Sequence, residues 1–335
     1  MRRLDLAGGR TGRPHRVRGL TPRYMFDHQT RRGAVFAAAA FTFWGVTPLY
    51  YKLLATVGPF EVLAHRIFWT VVMGCLVLQA RRGWRRMRPV LASRRTMLTL
   101  LVSSLLVSTN WLVYIYAIQT DRVLDASLGY YINPLVNVLL GMVFLSERMT
   151  AARAIAVALA AAGTLTLAVS QQGSPWIALC LGFSFGFYGL LRKRLDVPVV
   201  GALVIETGYL LPAAAGLLAL LVWNGTAAMP GQGFVVSFLL VAAGPVTMLP
   251  LLWFTKAARR LPLNVIGLFQ YIGPSLSFLL AVFLFGEPFT ITHAITFGCI
   301  WAGLAISTID GLLRAHRTER LLRQTRRPDG GATAE

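Results

Sequence analysis

The chain has 335 residues, of which 56% are hydrophobic and 14% charged, and its mean hydropathy is +0.60. This composition, with several apolar stretches of about 20 residues, predicts an all-α polytopic membrane protein. The shorter alternating segments of a membrane β-barrel do not occur in the sequence. The net charge of +20 would favour nucleic acid in a soluble protein, but here the basic residues lie between and beyond the apolar runs. No nucleic-acid partner is therefore expected.

The first segment in chain order, residues 1–32, is rich in arginine, glycine and proline and is interpreted as a disordered basic cytoplasmic tail. The apolar run after it is too long for a signal-peptide core, so it is counted as a span. Ten transmembrane helices are predicted at about 33–53, 60–79, 97–118, 124–145, 151–170, 174–191, 201–222, 234–255, 263–285 and 290–309. Residues 311–335 form a second basic cytoplasmic tail.

The positions of the basic residues indicate how the chain is oriented. All but three of the 33 lysines and arginines lie on one side of the ten-helix arrangement, in the tails and in alternate loops. The exceptions are Lys52 and Arg122, near the opposite surface, and Arg66, inside a span. Basic loops stay in the cytoplasm during membrane insertion. The pattern therefore predicts that both termini are cytoplasmic.

Two stretches of the chain repeat one another with a constant separation of 140 residues. The matching pairs are Tyr131-Ile132 and Tyr271-Ile272, Pro134 and Pro274, Glu147 and Glu287, and Gly163 and Gly303. One constant separation without a gap indicates a duplication. The copies are residues 33–170 and 174–310, with five predicted helices each. Because five is odd, the second copy enters the membrane in the opposite sense, an arrangement typical of transporters with a midplane substrate site.

Several motifs resemble those of a known family. They are Phe43-Trp-Gly45, Ala64-His-Arg66, Asn110-Trp-Leu112, the run from Ala126 to Asn137, Phe183-Ser-Phe185, Phe187-Tyr-Gly189 and Phe269-Gln-Tyr-Ile-Gly-Pro274. Together they resemble the EamA-type transporters of the drug/metabolite superfamily, and among these the chloramphenicol-sensitivity-type permeases. The resemblance covers most of residues 33–310. It implies ten helices in inverted repeats of five and the export of small metabolites or drugs across the inner (plasma) membrane.

Glu206 is the first candidate for chemistry. It lies about two turns into the seventh predicted span, where a carboxylate is costly unless it faces a cavity or a partner. It is interpreted as a proton carrier that couples transport to the proton gradient. The alternative is a salt bridge between helices, with Arg66 as its partner.

The start of the second span carries three polar residues, Glu61, His65 and Arg66. Glu61 and His65 are four residues apart, so they share a helix face and can pair. Arg66 is the only basic residue well inside a span, and a guanidinium there can hold a carboxylate or phosphate through paired hydrogen bonds. The alternative is an arginine that extends toward the surface, with Glu61 as counter-ion. His65 and Arg66 are both assigned to the substrate site because they also belong to the resembling motifs.

Two polar stripes are expected to line a central substrate cavity. The stripe in the fourth span lies on one helix face and comprises Tyr130, Asn133 and Asn137. Its counterpart in the ninth span comprises Gln270, Gly273 and Ser277, and the neighbouring Tyr271 is counted with the site. In the alternative interpretation, the amide side chains only hold helices together.

Pro134 and Pro274 are predicted to break their helices, because proline removes a backbone hydrogen bond and frees the carbonyl four residues earlier. Such irregular backbone is tolerated in a membrane only against protein or water. In the third span, Asn110 offers an amide, and Trp111 and Tyr114 offer aromatic faces. Trp44 and Tyr188 occupy the matching first helices of the two copies, and such aromatic walls suit a ring-bearing substrate and can stack on cations. Packing is the alternative role for each ring.

Gly182-Phe-Ser-Phe-Gly186 fits the G-x-S-x-G pattern of serine hydrolases. That motif works on a strained strand-to-helix turn, whereas here it lies in an apolar helix and also spells the close-packing pattern G-x-x-x-G. A membrane hydrolase that uses Ser184 is therefore a secondary hypothesis, as is a non-transporting sensor or scaffold. The three cysteines lie inside apolar runs, so no disulfide, metal or cofactor is predicted.

The sequence hypothesis is a secondary transporter that exports small molecules by alternating access between its two halves. No Walker A loop occurs, so ATP is not the energy source, and proton coupling through Glu206 is expected. The expected partners are a small-molecule substrate, the lipid bilayer and possible homodimer formation. No catalytic residue and no metal site are assigned.

Overall fold

The structure is a computed structural model that describes residues 28–145, 150–170, 175–193, 195–261 and 263–324. Most of the predicted N-terminal tail, the last residues of the C-terminal tail and Glu147 of the repeat lie outside the described residues. Within these ranges the chain forms helices joined by short loops, and no strand occurs.

The helices of the first half are α1 (His28–Lys52), α2 (Pro59–Ala80), α3 (Trp84–Ala92), α4 (Arg94–Gln119), α5 (Val123–Leu145) and α6 (Ala151–Ser170). Those of the second half are α7 (Pro175–Lys193), α8 (Val199–Trp223), α9 (Ala228–Gly231), α10 (Phe234–Ala258), α11 (Leu263–Phe269), α12 (Ile272–Leu279), which continues as a π-helical turn over Leu280–Leu284, and α13 (Ile291–Gln324). Nine described segments are long and apolar enough to cross a membrane, and Ala154–Ser170 of α6 supplies the tenth, shorter one. The predicted all-α membrane fold is confirmed.

Lys52 and Lys256 mark the two ends of the bundle. At the Lys52 end, α1 finishes and α2 begins, and at the Lys256 end, α10 finishes. The short helices α3 and α9, which the sequence pattern did not predict, lie at opposite ends in the loops after α2 and α8. Helix α3 buries Met87 and Val90 against the core, while its arginines stay exposed.

The first and last helices are longer than the sequence predicted. Helix α1 begins at His28, inside the segment assigned to the tail, and α13 continues to Gln324, well past the predicted boundary at 310. No proline interrupts α13, and Asp310 and Arg314 form an ion pair one turn apart at 2.9 Å. A helix that leaves the membrane can therefore continue in water through its polar residues.

The helix contacts follow an inverted two-fold pattern, in which α1, α2, α4, α5 and α6 correspond to α7, α8, α10, α11–α12 and α13. Helix α1 packs on α12 as α5 packs on α7, and α1 packs on α10 as α4 packs on α7. The pairs α2 with α8 and α6 with α13 join corresponding helices directly. The contact pattern therefore agrees with the sequence duplication, and the two inverted five-helix repeats are confirmed.

Two glycines that match in the duplication make reciprocal contacts between α6 and α13. A Cβ on Gly163 would lie 3.0 Å from the Thr296 carbonyl oxygen, and one on Gly303 would lie 2.8 Å from that of Ala156. Ala156 and Thr296 are themselves separated by the repeat length. Only glycine allows the backbones to come this close, so both copies of the position need the same residue for the same reason.

The two repeat prolines behave differently. Helix α5 runs through Pro134 without ending, whereas α11 stops at Phe269 and α12 resumes at Ile272, just before Pro274. The helical φ of proline is compatible with a continuing helix, although one backbone bond is lost. The predicted break therefore occurs at Gln270 and Tyr271 in the second repeat, and Pro134 does not end its helix.

Candidate functional site

The residue that brings the two repeats together at the centre is Arg66 of α2. Its Nη1 donates a hydrogen bond to the Tyr51 hydroxyl at 2.8 Å, and its Nε donates to Thr247 Oγ1 at 3.1 Å. The guanidinium also lies 3.9 Å from the ring centroid of Trp111, a cation–π contact. Tyr51 and Trp111 belong to the first repeat and Thr247 to the second. The cation is therefore fixed at the boundary between repeats.

Arg66 has no counter-ion in the part of the chain that the structure describes, since every ion pair there involves other residues. Glu61, the counter-ion in the snorkelling alternative, is buried and accepts the backbone N–H of Ala228 at 2.7 Å. It therefore holds α9 instead of neutralising Arg66. A half-buried guanidinium without a carboxylate partner can take the anionic group of a ligand.

A connected set of polar and aromatic side chains continues from Arg66 toward α5 and α7. The ring centroids of Tyr51 and Tyr114 are 5.8 Å apart, and those of Tyr114 and Tyr130 are 5.7 Å apart. The Tyr130 hydroxyl donates to Asn110 Oδ1 at 3.1 Å, and Asn110 Nδ2 donates to Ser184 Oγ at 3.0 Å. The structure thus brings together the predicted site residues Arg66, Trp111, Tyr114, Tyr130 and Asn110.

Other predicted site residues lie against neighbouring helices. Asn133 Nδ2 donates to the Gly182 carbonyl at 3.2 Å, and Asn137 Nδ2 donates to Asn133 Oδ1 at 2.9 Å. In the second repeat, Ser277 Oγ donates to the Gly45 carbonyl at 3.1 Å. Each stripe therefore bonds to the first helix of the opposite repeat, which is how amides and hydroxyls hold membrane helices together.

The remaining predicted site residues are Trp44, Gln270, Tyr271 and His65. Trp44 packs its ring against Phe41 and Phe254, with centroids 5.4 and 6.0 Å away. Gln270 and Tyr271 are half-buried at the break between α11 and α12. His65 is buried and, unlike the adjacent Arg66, lines a separate cavity between α2, α8 and α10.

Glu206 lies in a second polar cluster, nearer the Lys256 end, and is fully buried. Ser103 Oγ donates to Glu206 Oε1 at 2.6 Å, and the Tyr188 hydroxyl donates to Oε2 at 3.3 Å. The basic partner is Arg192, whose Nε is 4.0 Å from Oε1. The alternative that paired Glu206 with Arg66 is therefore wrong, because Arg66 bonds elsewhere and Arg192 of α7 reaches back from the last turn of its helix.

The two clusters are connected by aromatic packing. Tyr188, which bonds Glu206, packs against the same apolar cluster that contains Trp111, the residue stacked on Arg66. The rings of Tyr130 and Tyr188 also both contact Phe185, with centroids 6.2 and 5.9 Å away. A rearrangement at either charged residue would therefore change the packing around the other.

Cross-repeat hydrogen bonds close the Lys52 end. Glu287 follows Gly286, whose φ of +68° favours glycine, and its two carboxylate oxygens accept the backbone N–H groups of Val123 and Leu124 at 2.6 and 2.8 Å. Burial raises the pKa of the Glu287 carboxyl, and the two N–H groups oppose this shift because they stabilise the carboxylate. The Tyr50 hydroxyl donates to the Leu239 carbonyl at 2.7 Å, also between repeats.

Comparison with known proteins identifies the family. The model of the EamA-like transporter family matches residues 31–169. An uncharacterized transporter of Vibrio cholerae is 48% identical over 294 residues, which is 88% of this chain and 97% of that protein. Protein RarD of Escherichia coli is 42% identical over 88% of this chain and 100% of its own. The chain belongs to the EamA-like transporter family.

More distant comparisons agree with this assignment. The chloramphenicol-sensitive protein RarD of Pseudomonas aeruginosa is 31% identical over 83% of this chain and 94% of its own. One crystal structure superposes with a TM-score of 0.54 at 20% identity, over 83% of this chain and 96% of the other, which shows a shared fold. As a member of the EamA-like family, the chain is a multi-pass membrane protein of a transporter group.

The structure adds residues to the candidate site that sequence reasoning missed. Thr247 and Tyr51 bond Arg66, while Ser103 and Arg192 bond Glu206. Arg192 begins a run of three basic residues, which was interpreted as part of a cytoplasmic loop, so nothing in the sequence indicated its contact with Glu206. Ser103 had a weak signal of its own, since Ser103 and Ser104 form a polar pair inside an apolar span.

Proposed function

We propose that this chain exports small organic molecules from the cytoplasm across the inner membrane, by alternating access between its two repeats and in exchange for protons. The observation that carries the proposal is the Arg66 site, where a guanidinium with no counter-ion among the described residues is bonded by both repeats. Inverted-repeat transporters bind their substrates at such a boundary. The substrate would place a carboxylate or phosphate on Arg66 and an apolar or aromatic part against Trp111.

The proposed orientation places both termini and the Lys256 end in the cytoplasm. It is supported by the concentration of basic residues in the tails and in the loops of that end. The Lys52 end then faces outward, and the bonds made by Glu287 and Tyr50 close the outer side of the site. Export requires that the Glu287 and Tyr50 bonds break while the Lys256 end stays closed, which opens the site to the outside. To open the site to the cytoplasm, these bonds form again and the Lys256 end opens.

Glu206 is the proposed proton carrier. A fully buried carboxylate with two hydroxyl donors and an arginine 4.0 Å away has polar partners in both charge states. Its contact with Tyr188 provides a path to the Trp111 packing around Arg66. Protonation of Glu206 would weaken its attraction to Arg192, and the released arginine is the proposed trigger for rearrangement of α4, α7 and α8.

The test is a comparison of metabolites in medium and cytosol from cells that lack the protein, overproduce it, or overproduce Glu206→Gln. A compound that accumulates outside only with the unchanged protein identifies the substrate, and its export should rise as the outer pH falls. Asp196→Asn is the matched control, since it removes one exposed carboxylate near the same end of the bundle and should leave export unchanged. Identical metabolite profiles in all strains would overturn the export proposal.

Proton coupling is tested separately with the same compound. Glu206→Gln that exports at the unchanged rate with the same pH dependence would overturn the role of Glu206 and leave export standing. A hydrolase at Ser184 remains the second hypothesis, but its hydroxyl is engaged by Asn110 Nδ2 and points back to the Leu181 carbonyl of its own helix. These contacts favour a packing role.

A further inference from the structure

A cavity lies between α2, α8 and α10, in the half of the bundle nearer the Lys52 end. It has a volume of 660 Å³ and is separate from the Arg66 contacts. Helix α2 contributes His65, Phe68 and Trp69, α8 contributes Leu218, and the segment from α9 to α10 contributes Met229 and Phe234. Small-molecule sites in proteins have volumes of roughly 300–1,000 Å³, so the space suits a compact ligand.

The mouth of this cavity lies on the outside of the helix bundle, near the Lys52 end. Val222 and Phe234, which line it, are 63% and 84% exposed on the outside of a helix bundle that spans a membrane. Its lining consists of apolar and aromatic residues together with His65, Trp69, Ser237 and a glycine, and includes no lysine, arginine or carboxylate. A ligand would therefore enter from the lipid and would carry no net charge, because no counter-charge is present.

Two residues of the cavity lining each carry a buried polar atom that has no hydrogen-bond partner among the described residues. These atoms are His65 Nδ1 and the indole Nε1 of Trp69. His65 is only 7% exposed, so water does not easily replace a missing partner. The two residues are one helical turn apart and share a face of α2. Since the indole N–H can only donate, it requires an acceptor oxygen or nitrogen from elsewhere.

We propose that this cavity binds a neutral, membrane-dissolved small molecule with an apolar body and an oxygen acceptor, such as a ketone. The oxygen accepts the hydrogen bond of the Trp69 indole, and the His65 imidazole lies one helical turn away on the same face of α2. The apolar body packs against Phe68, Leu218 and Met229. The site is distinct from the proposed anion site, because Arg66, the residue after His65, is turned to Tyr51 and Thr247. It does not depend on the direction or coupling of transport.

The test uses benzophenone as a photoreactive probe on the purified full-length protein. Near-ultraviolet light excites its ketone, which inserts into a nearby C–H bond: the carbonyl carbon bonds to the side chain and the oxygen takes the hydrogen. Labelling of Met229 and its neighbours, mapped by mass spectrometry, should saturate with probe concentration. Fluorenone, a neutral ketone, should compete at a concentration at least about tenfold lower than fluorene, which has the same shape without the oxygen.

Trp69→Phe keeps an aromatic ring and removes the donor, so fluorenone and fluorene should then compete equally. Trp223→Phe is the matched control, because Trp223 is 88% exposed and outside the cavity, and the tenfold preference should persist. Equal competition in the unchanged protein, or a preference that survives in Trp69→Phe, would overturn the proposal. Val222→Trp adds bulk at the exposed mouth and should abolish saturable labelling even if Trp69→Phe does not fold.

The source of the ligand is tested by comparing protein in detergent micelles with protein in phosphatidylcholine vesicles. Saturable labelling in both supports a site open to foreign molecules dissolved in the membrane. Labelling in micelles that disappears in vesicles would mean that a phospholipid fills the cavity, and the proposed small-molecule site would be wrong. Labelling that rises linearly with probe in both would show only general partition into the protein surface, and would overturn the proposal as well.

Discussion

Arg66 Nε donates a hydrogen bond to the hydroxyl of Thr247, 3.1 Å away, across the boundary between the two repeats. Thr247 itself donates to the Ala243 carbonyl at 2.9 Å, so its hydroxyl oxygen can only accept from the guanidinium. The bond therefore orients Arg66 from the second repeat while Tyr51 orients it from the first. In the proposed alternating access, separation of the repeats would break one of these bonds.

Thr247→Val should weaken substrate binding, because valine keeps the shape of threonine and removes the acceptor. A hydrogen bond to a charged group contributes about 1.5–3 kcal/mol, so we expect KM for an anionic substrate to rise about tenfold or more. Thr247→Ser keeps the hydroxyl and should stay within about threefold of the unchanged protein. Uptake of the identified compound into inverted vesicles measures both. Equal KM for the valine and serine variants would show that Thr247 does not orient the site.

Gly163→Ala and Gly303→Ala should each destabilise the fold. Each added Cβ would meet a backbone carbonyl oxygen at 3.0 or 2.8 Å, and backbone cannot move aside as a side chain can. Overpacking of this kind costs about 1–3 kcal/mol, which should lower the thermal midpoint of the detergent-purified protein by several degrees. Gly298→Ala is the control, because Gly298 lies in α13 with Gly303 and an added Cβ there would have nothing within 4 Å. This variant should be at least as stable as the unchanged protein. A control as unstable as the two variants would contradict the reciprocal packing.

Glu287→Ala should loosen the Lys52 end, because it leaves the N–H groups of Val123 and Leu124 without their acceptor. The reporter is Ser127→Cys, at a position that is 1% exposed in α5, in a protein whose three cysteines are replaced by serine. Labelling by a membrane-impermeant maleimide should accelerate about tenfold or more when Glu287 is removed. Asp196→Asn, at the other end, should not change the rate. An unchanged rate in Glu287→Ala would show that this carboxylate does not hold the end closed.

Ser184→Ala should leave function largely intact. Asn110 Nδ2 keeps its second acceptor, the Leu181 carbonyl at 3.1 Å, so the loss is about 1 kcal/mol of stability with transport within about twofold. Asn110→Leu, which removes all of these bonds and the Tyr130 contact, should be more damaging than Ser184→Ala. Complete loss of activity in Ser184→Ala with normal folding would instead support the hydrolase hypothesis.

The architecture was predictable because hydropathy, charge and the repeat are properties of long segments. The predicted membrane spans follow from the length of the apolar segments. The packing of α6 on α13 agrees with the matched glycines Gly163 and Gly303. The extent of α13 was not predictable, since its end depends on a polar stretch without a helix breaker. Helix α9 was missed because it has only four residues and is held by the distant Glu61.

The sequence could predict which charged residues belong to the candidate site, but not which residues they contact. Arg66 and Glu206 stood out because charge is costly inside a span, and that cost is independent of the neighbours. Which residue compensates each charge depends on how helices rotate and cross, and no periodicity encodes this for Thr247 or Arg192. His65 and Arg66 show the limit most clearly, since adjacent residues on one helix point about 100° apart, so that His65 lines a cavity while Arg66 bonds Thr247.

The most direct test of the central claim is exchange of the identified compound by the purified protein in vesicles, with Arg66→Lys and Arg66→Gln compared with the unchanged chain. Arg66→Gln removes the charge and should reduce exchange about a hundredfold or more, while Arg66→Lys keeps the charge without the paired donors and should retain a fraction of it. Thermal unfolding and saturable benzophenone labelling of the separate His65 cavity confirm that both variants are folded. Full exchange by a folded Arg66→Gln would contradict a transport site built on this guanidinium.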